Sequence, residues 1–295
     1  MASFSARLCG RFLPAFLALL MASTAWSAGP SARPKKKLLY FTRSQGFEHS
    51  VLKRKGAELA YSEKILAELG KKHGYEIIPS KDGRLFTPEK IGEFDGFIFY
   101  ATGYLDQPGG DNQPPMPPGG KQALLDAIAN GKGFVGVHAG NDAFHTPKDQ
   151  EKPDPFVAML GAEFLTHGAQ QKARQIVADP KFPGLEGVSD FELMDEWYVA
   201  RNLAPDLHVI LVQDTKGMKG RGYQLPPYPA TWARMQGKGR VFYTSMGHRE
   251  DVWDNPLFQK ILMGGIRWAV GDVDAEVPTN IDTVTPEALK QLGAK

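Results

Sequence analysis

The sequence predicts an α/β protein with a mainly parallel central sheet and helices on both faces. Three observations predict it. Continuous apolar runs recur at Leu38-Leu39-Tyr40-Phe41, Phe97-Ile98-Phe99-Tyr100 and Phe134-Val135. They lack the alternation of a half-exposed strand, as expected when both faces are covered. Segments with apolar residues at helical spacing lie between them, and the order strand, helix, strand favours parallel pairing. The composition, 42% hydrophobic and 23% charged over 295 residues, is ordinary for a globular chain.

Arg7 and Arg11 precede an apolar run at 12–22, and small residues follow at Ser23, Thr24, Ala25, Ser27 and Ala28. This pattern predicts a signal peptide over residues 1–28, hence a secreted or periplasmic protein of a bacterium. The run is too short to cross a bilayer comfortably, so no stable membrane span is expected after cleavage. The sole cysteine, Cys9, falls in this leader. A mature chain without it has no disulfide, no thiolate metal ligand and no cysteine nucleophile. Net charge is +2 with Arg7 and Arg11 included, so the mature chain is near neutral. The short run Lys35-Lys36-Lys37 is a solvated strand edge, and no nucleic-acid partner is expected.

The main domain is expected over 35–271. Its first strand is 38–42. A helix over 57–72 follows, with Leu59, Ile65, Leu66 and Leu69 on one face and Gly74 at its end. Strands at 75–78 and 97–100 come next. Pro114, Pro115, Pro117 and Pro118 forbid regular structure in the 108–120 loop. Leu124, Leu125 and Ile128 mark a helix over 121–130, before a strand at 133–137. The second half is richer in strands, at 175–178, 191–194, 207–212, 230–235 and 240–244. Asn255-Pro256 begins a last helix, with Leu257, Phe258, Ile261, Leu262, Ile266 and Ala269 as its buried stripe. Residues 272–295 read as a polar tail, extended or a linker, with a short helix after Thr285.

Open parallel sheets bind ligands beyond the carboxyl ends of their strands. Four of the 7 histidines, His49, His138, His145 and His248, follow predicted strands at that edge. Gly136-Val137-His138-Ala139-Gly140 has the spacing of a strand-to-helix elbow that presents a nucleophile. Histidine stands where serine or cysteine would attack a carbonyl, so acyl transfer lacks its nucleophile. His138 can shuttle protons or bind a metal. Asp142 can ligate a metal, orient His138 or cap a helix. Glu196 reads as a general base, or Asp195-Glu196 together as solvated turn residues. His49 and His167 read equally as functional or structural, His73 and His208 as structural. Trp197, Tyr198 and Trp253 can stack on a sugar face, while Trp232 and Trp268 read as core.

The chain resembles the trehalose-utilisation (ThuA-like) family of the class I glutamine-amidotransferase-like superfamily. The resemblance covers about 37–271. It rests on Gly46-Phe47-Glu48-His49, Thr102-Gly103, the elbow through Asn141-Asp142, Phe164-Leu165-Thr166-His167 and Asp195-Glu196-Trp197-Tyr198. Trp232-Ala233-Arg234, Gly237 to Tyr243, Gly247-His248 and Gly264 to Ala269 complete it. His145 and the proline-rich loop depart from the pattern.

The resemblance implies a flavodoxin-like three-layer sandwich and a role in carbohydrate catabolism. The expected activity is that of a lyase, isomerase or hydrolase using acid/base chemistry, with or without a metal, on a keto-sugar or glycoside derivative. The alternative is a non-catalytic periplasmic carbohydrate-binding protein. Catalytic candidates are His138, Glu196, His248 and Asp142. Candidates for contacting a small-molecule carbohydrate are His49, Thr102, Asn141, His167, Tyr198, Arg234 and Trp253. For a divalent metal such as zinc, the candidates are His138, Asp142, His167 and His248, although no compact motif of the H-E-x-x-H kind is present. A homo-oligomer is compatible with this reading.

Overall fold

Nine strands form one sheet, in the order 76–80, 37–41, 96–99, 133–137, 239–244, 228–236, 208–213, 171–177 and 191–195. The protein is described by a computed structural model over residues 1–4 and 35–294. The leader expected over 1–28 lies, from residue 5 on, outside the described residues.

In chain order the elements begin with β1 (Lys37–Phe41), α1 (Tyr61–His73), β2 (Glu76–Ser80), α2 (Pro88–Gly92), β3 (Gly96–Phe99) and β4 (Thr102–Gly103). Then come α3 (Gly120–Ala129), β5 (Gly133–Val137), β6 (Asp142–Ala143), α4 (Pro155–Leu160), β7 (Glu163–His167), β8 (Gln171–Val177), β9 (Phe191–Asp195) and β10 (Tyr198–Arg201). The chain continues through β11 (His208–Gln213), β12 (Tyr228–Gln236), β13 (Gly239–Thr244), α5 (Glu250–Trp253), α6 (Pro256–Ala269), α7 (Ile281–Val284) and α8 (Pro286–Leu292).

Local chemistry explains the boundaries. Helix α1 starts at Tyr61, later than its apolar spacing suggests, because Glu63 reaches back to the Ala60 backbone N–H at 2.8 Å. Gly74 closes it in the left-handed region, φ 84. Helix α6 starts where predicted: the Asn255 side chain accepts from Leu257 and Phe258, and Pro256 occupies the first turn.

Only half of the sheet is parallel. Strands β2, β1, β3, β5 and β13 pair in parallel. Beyond β13 every pairing is antiparallel. The hairpin between β12 and β13 explains the change: two residues connect them, and Gly237 has φ 58. A connection that short permits only an antiparallel return. Helices cover both faces of the parallel half. On β13, Phe242 lies against Gly265 of α6, while its neighbour Tyr243 and Leu160 of α4 crowd Gly136. Adjacent strand residues point to opposite faces, so α4 and α6 lie on opposite sides.

The 272–294 segment is not an extended tail. Asn280 bonds both backbone groups of Val209, accepting at 2.6 Å and donating at 3.1 Å. Ile281 and Ala288 are fully buried. The helix anticipated after Thr285 is α8. Two small pairings escape the sequence reading: β7 with β10, and β4 with β6. The first carries His167 and Tyr198.

Candidate active site

The elbow after β5 sets the geometry. The chain leaves Val137 into a tight 3-10 turn over His138–Asn141. His138 itself takes the left-handed conformation, φ 44, which non-glycine residues rarely adopt. The flanking glycines serve close approach instead. A Cβ on Gly140 would lie 2.6 Å from the Phe99 carbonyl oxygen, and one on Gly136 2.9 Å from the Tyr243 ring. A residue held at unfavourable φ by its packing is a frequent mark of function.

His138 is fully buried. Its Nδ1 lies 2.7 Å from the Ser245 carbonyl oxygen. A carbonyl can only accept, so Nδ1 carries a hydrogen and Nε2 is the nitrogen turned inward. Facing it are His248 Nδ1 at 3.3 Å and Glu196 Oε2 at 3.7 Å. Glu196 Oε2 is 3.1 Å from His248 Nδ1, and its other oxygen is 3.3 Å from His167 Nδ1. The His49 ring centroid lies 5.1 Å from those of both His138 and His248. One ligand atom from each of His49, His138, Glu196 and His248 falls within 4.8 Å of the others.

The electrostatics follow from burial and neighbours. Burial pushes the Glu196 carboxyl up, but His138 and His248 outweigh it and hold the group below the usual carboxylate range. For His49, burial pushes the imidazole down first, and His138 and His248 add to it, reaching about 2. His49 is therefore neutral. Its Nε2 is 3.2 Å from the Tyr198 hydroxyl, and its Nδ1 is buried with no hydrogen-bond partner among the described residues.

Strand ends far apart in sequence supply these groups. His49 follows β1, His138 follows β5 and His248 follows β13. Glu196 sits between β9 and β10, and His167 ends β7. Asp195 ties two of them together: it accepts from the Gly247 N–H at 2.7 Å and the Glu196 N–H at 3.0 Å. It is a buried positioning residue, not a solvated turn residue. Burial raises its pKa, against the pull of His138.

The structure gathers His49, His138, His167, Glu196, Tyr198 and His248, and places the other candidates elsewhere. Asp142 bonds His145 Nε2 at 2.5 Å rather than orienting His138 or joining the four-residue cluster. Arg234 donates to the carbonyls of Ala158 and Met159 at the end of α4 and to Asp206, so its role is structural. Trp253 is fully buried and donates to the Gly247 carbonyl at 2.8 Å. Trp197 is fully buried too, bonded to the Gln171 carbonyl. Neither can stack on a sugar. Thr102 is buried and donates to the Phe47 carbonyl at 2.9 Å, holding the loop that carries His49. Asn141 is buried, and neither polar side-chain atom has a hydrogen-bond partner among the described residues.

The sequence reading missed Phe47 as a candidate contact. It is 67% exposed, and its ring centroid is 5.0 Å from that of His49. Its position two residues before a strand-end histidine was the available signal. A cavity of about 630 Å³ lies off this cluster, bordered by Thr146, Lys148, Glu163, Arg201 and Gln291. The cluster itself opens to solvent at His167 and, more narrowly, at His248 and Glu196.

The chain matches the family model ThuA, described as trehalose utilisation, over residues 37–269. No curated protein matches it significantly. Among solved structures, a ThuA-like protein of Parabacteroides merdae is similar, with 17% identity and a TM-score of 0.60 over 84% of this chain and 94% of that one. One from Bacteroides uniformis has 19% identity and a TM-score of 0.56, covering 82% and 94%. A cytoplasmic protein of Salmonella typhimurium has 12% identity and a TM-score of 0.51, covering 81% and 100%. At these identities the likeness is one of fold.

Proposed function

The chain belongs to the trehalose-utilisation (ThuA) family, and on that premise we propose an enzyme of carbohydrate breakdown that moves a proton beside the carbonyl of a keto-sugar or glycoside derivative. The observation that carries this reading is the Glu196 carboxylate, held between buried imidazoles on one side and His167 on the other. A keto group acidifies the neighbouring C–H. A base removes that proton, the electron pair passes to the carbonyl oxygen, and an enolate forms. Where the deprotonated carbon bears a hydroxyl, passing its O–H proton to the first oxygen and returning the C–H proton to the former carbonyl carbon gives isomerisation; expelling a β-oxygen substituent, protonated as it leaves, gives elimination.

The Glu196–His167 arm suits the proton transfer, because it lies on the solvent side. The buried imidazoles suit the developing oxyanion. Exposed Phe47 suits a sugar face. The parallel strand order β2-β1-β3-β5-β13 supports the finer, flavodoxin-like reading of the fold. The leader motif at 1–28 supports export to the periplasm, which the mass of the N-terminal fragment of the native protein tests.

The activity test incubates purified chain with a 3-keto-glucoside in deuterium oxide and follows the sugar by NMR. Deuterium entry next to the carbonyl, or conversion of the sugar, is expected. Both should fall at least a hundredfold in Glu196→Gln. A tight complex that returns the sugar unchanged and undeuterated would leave a carbohydrate-binding protein instead.

A further inference from the structure

We propose that His49, His138, His248 and Glu196 form a four-ligand site for a divalent ion of the zinc class. The catalytic meaning of such an ion rests on the reaction proposed above; its binding does not.

Spacing is the first argument. Tetrahedral ligands about 2.1 Å from zinc stand roughly 3.4 Å from one another. Three separations here bracket that value: 3.1 Å for Glu196 Oε2 to His248 Nδ1, 3.3 Å for His248 Nδ1 to His138 Nε2, and 3.7 Å for His138 Nε2 to Glu196 Oε2. His49 brings a fourth atom within 4.8 Å of all three.

Proton placement is the second. The His138 proton sits on Nδ1, where it meets the Ser245 carbonyl. Its Nε2 is therefore the nitrogen that faces a carboxylate and a second imidazole. Lone pairs so close repel unless a proton or a cation lies among them. An imidazole that donates one N–H to a carbonyl and offers its other nitrogen inward has the usual arrangement of a metal-bound histidine.

His49 is the third. It is 1% exposed, and its Nδ1 has no hydrogen-bond partner among the described residues. A buried nitrogen without a partner costs stability unless something binds it. Three nitrogens and one oxygen favour zinc or a neighbouring transition ion over magnesium or calcium, which prefer oxygen sets. Glu196 can serve both purposes, because Oε2 faces the imidazoles while Oε1 faces His167.

The test strips the purified full chain with a chelator, confirms its fold by circular dichroism, and titrates zinc and cobalt by calorimetry. One equivalent should bind with a dissociation constant of micromolar or below. The melting temperature should rise, and cobalt should give the intense visible absorption of a four-coordinate ion. Glu196→Gln and His49→Gln should each weaken binding at least tenfold, while His145→Asn should not. Absence of stoichiometric binding to folded protein would overturn the site, as would binding indifferent to both ligand variants. Binding without turnover of keto-sugars would keep the site and remove the reaction. Turnover by chelated protein that binds no ion would do the reverse.

Discussion

His138 donates its Nδ1 proton to the Ser245 carbonyl at 2.7 Å, and this bond decides which nitrogen faces Glu196. Strand β13 thus acts on the site twice: its end supplies the carbonyl that orients one histidine, and the next turn supplies another, His248. The backbone at His138 is left-handed, φ 44, so the side chain is presented at a conformational cost.

His138→Asn should separate chemistry from folding. Asparagine tolerates a left-handed backbone better than most residues. The melting temperature should stay within a few degrees of wild type, while turnover falls about 10²–10³-fold, the usual worth of one oxyanion-stabilising group. His138→Val, branched at Cβ, should instead lower stability measurably.

The two elbow glycines should respond unequally to alanine. The new Cβ of Gly140→Ala meets the Phe99 backbone oxygen at 2.6 Å, and a central strand cannot move aside. A loss of about 2–4 kcal/mol is expected in urea denaturation. Gly136→Ala meets a Tyr243 ring atom at 2.9 Å, and a side chain can shift, so its cost should be smaller.

Stability should fall on the alkaline side because of His145. Its imidazole lies 2.5 Å from Asp142 and 3.4 Å from Glu163, which also receives Arg201 at 3.1 Å. The bond to Asp142, then that to Glu163, raises its pKa from 6.5 to about 9. A folded-state pKa above the unfolded one stabilises fully below pH 6.5, and the contribution disappears as pH rises through about 9. Partial exposure reduces it to something on the order of 2 kcal/mol. The urea midpoint should drop across this window. His145→Asn should flatten that slope, being less stable than wild type at pH 6 and close to it at pH 10.

The C-terminal segment should prove integral to the domain. Asn280→Ala removes both bonds to Val209, at 2.6 and 3.1 Å, and leaves a backbone pair of β11 unsatisfied. A loss of about 1–3 kcal/mol is expected.

Phe47 should govern affinity more than rate. Its ring is exposed beside His49 and touches no reacting group. Phe47→Ala should raise KM for a keto-glycoside about fivefold and change kcat little, matching the loss of roughly 1 kcal/mol of stacking. An unchanged KM would place the sugar elsewhere.

Much of the fold was legible because it is written locally. The runs at Leu38 to Phe41 and Phe97 to Phe99 are strands because nothing polar interrupts them, and α6 begins at Pro256 because Asn255 caps it. The antiparallel half of the sheet was not legible, since strand direction depends on which partner a strand meets. The β7–β10 pair escaped for a related reason: partly exposed, mixed sequences such as Glu163–His167 carry no clear period.

The site divides in the same way. By itself the sequence determined that His49, His138 and His248 lie in the connections after strands and that glycines frame an elbow, because these are properties of neighbours along the chain. Only the tertiary structure decided that Glu196 meets those three imidazoles, that Asp142 turns to His145 instead, and that Trp253 and Arg234 serve packing. Side chains point where the pleat and the covering layers send them, and a sequence separation of 58 residues between His138 and Glu196 carries no trace of a 3.7 Å approach.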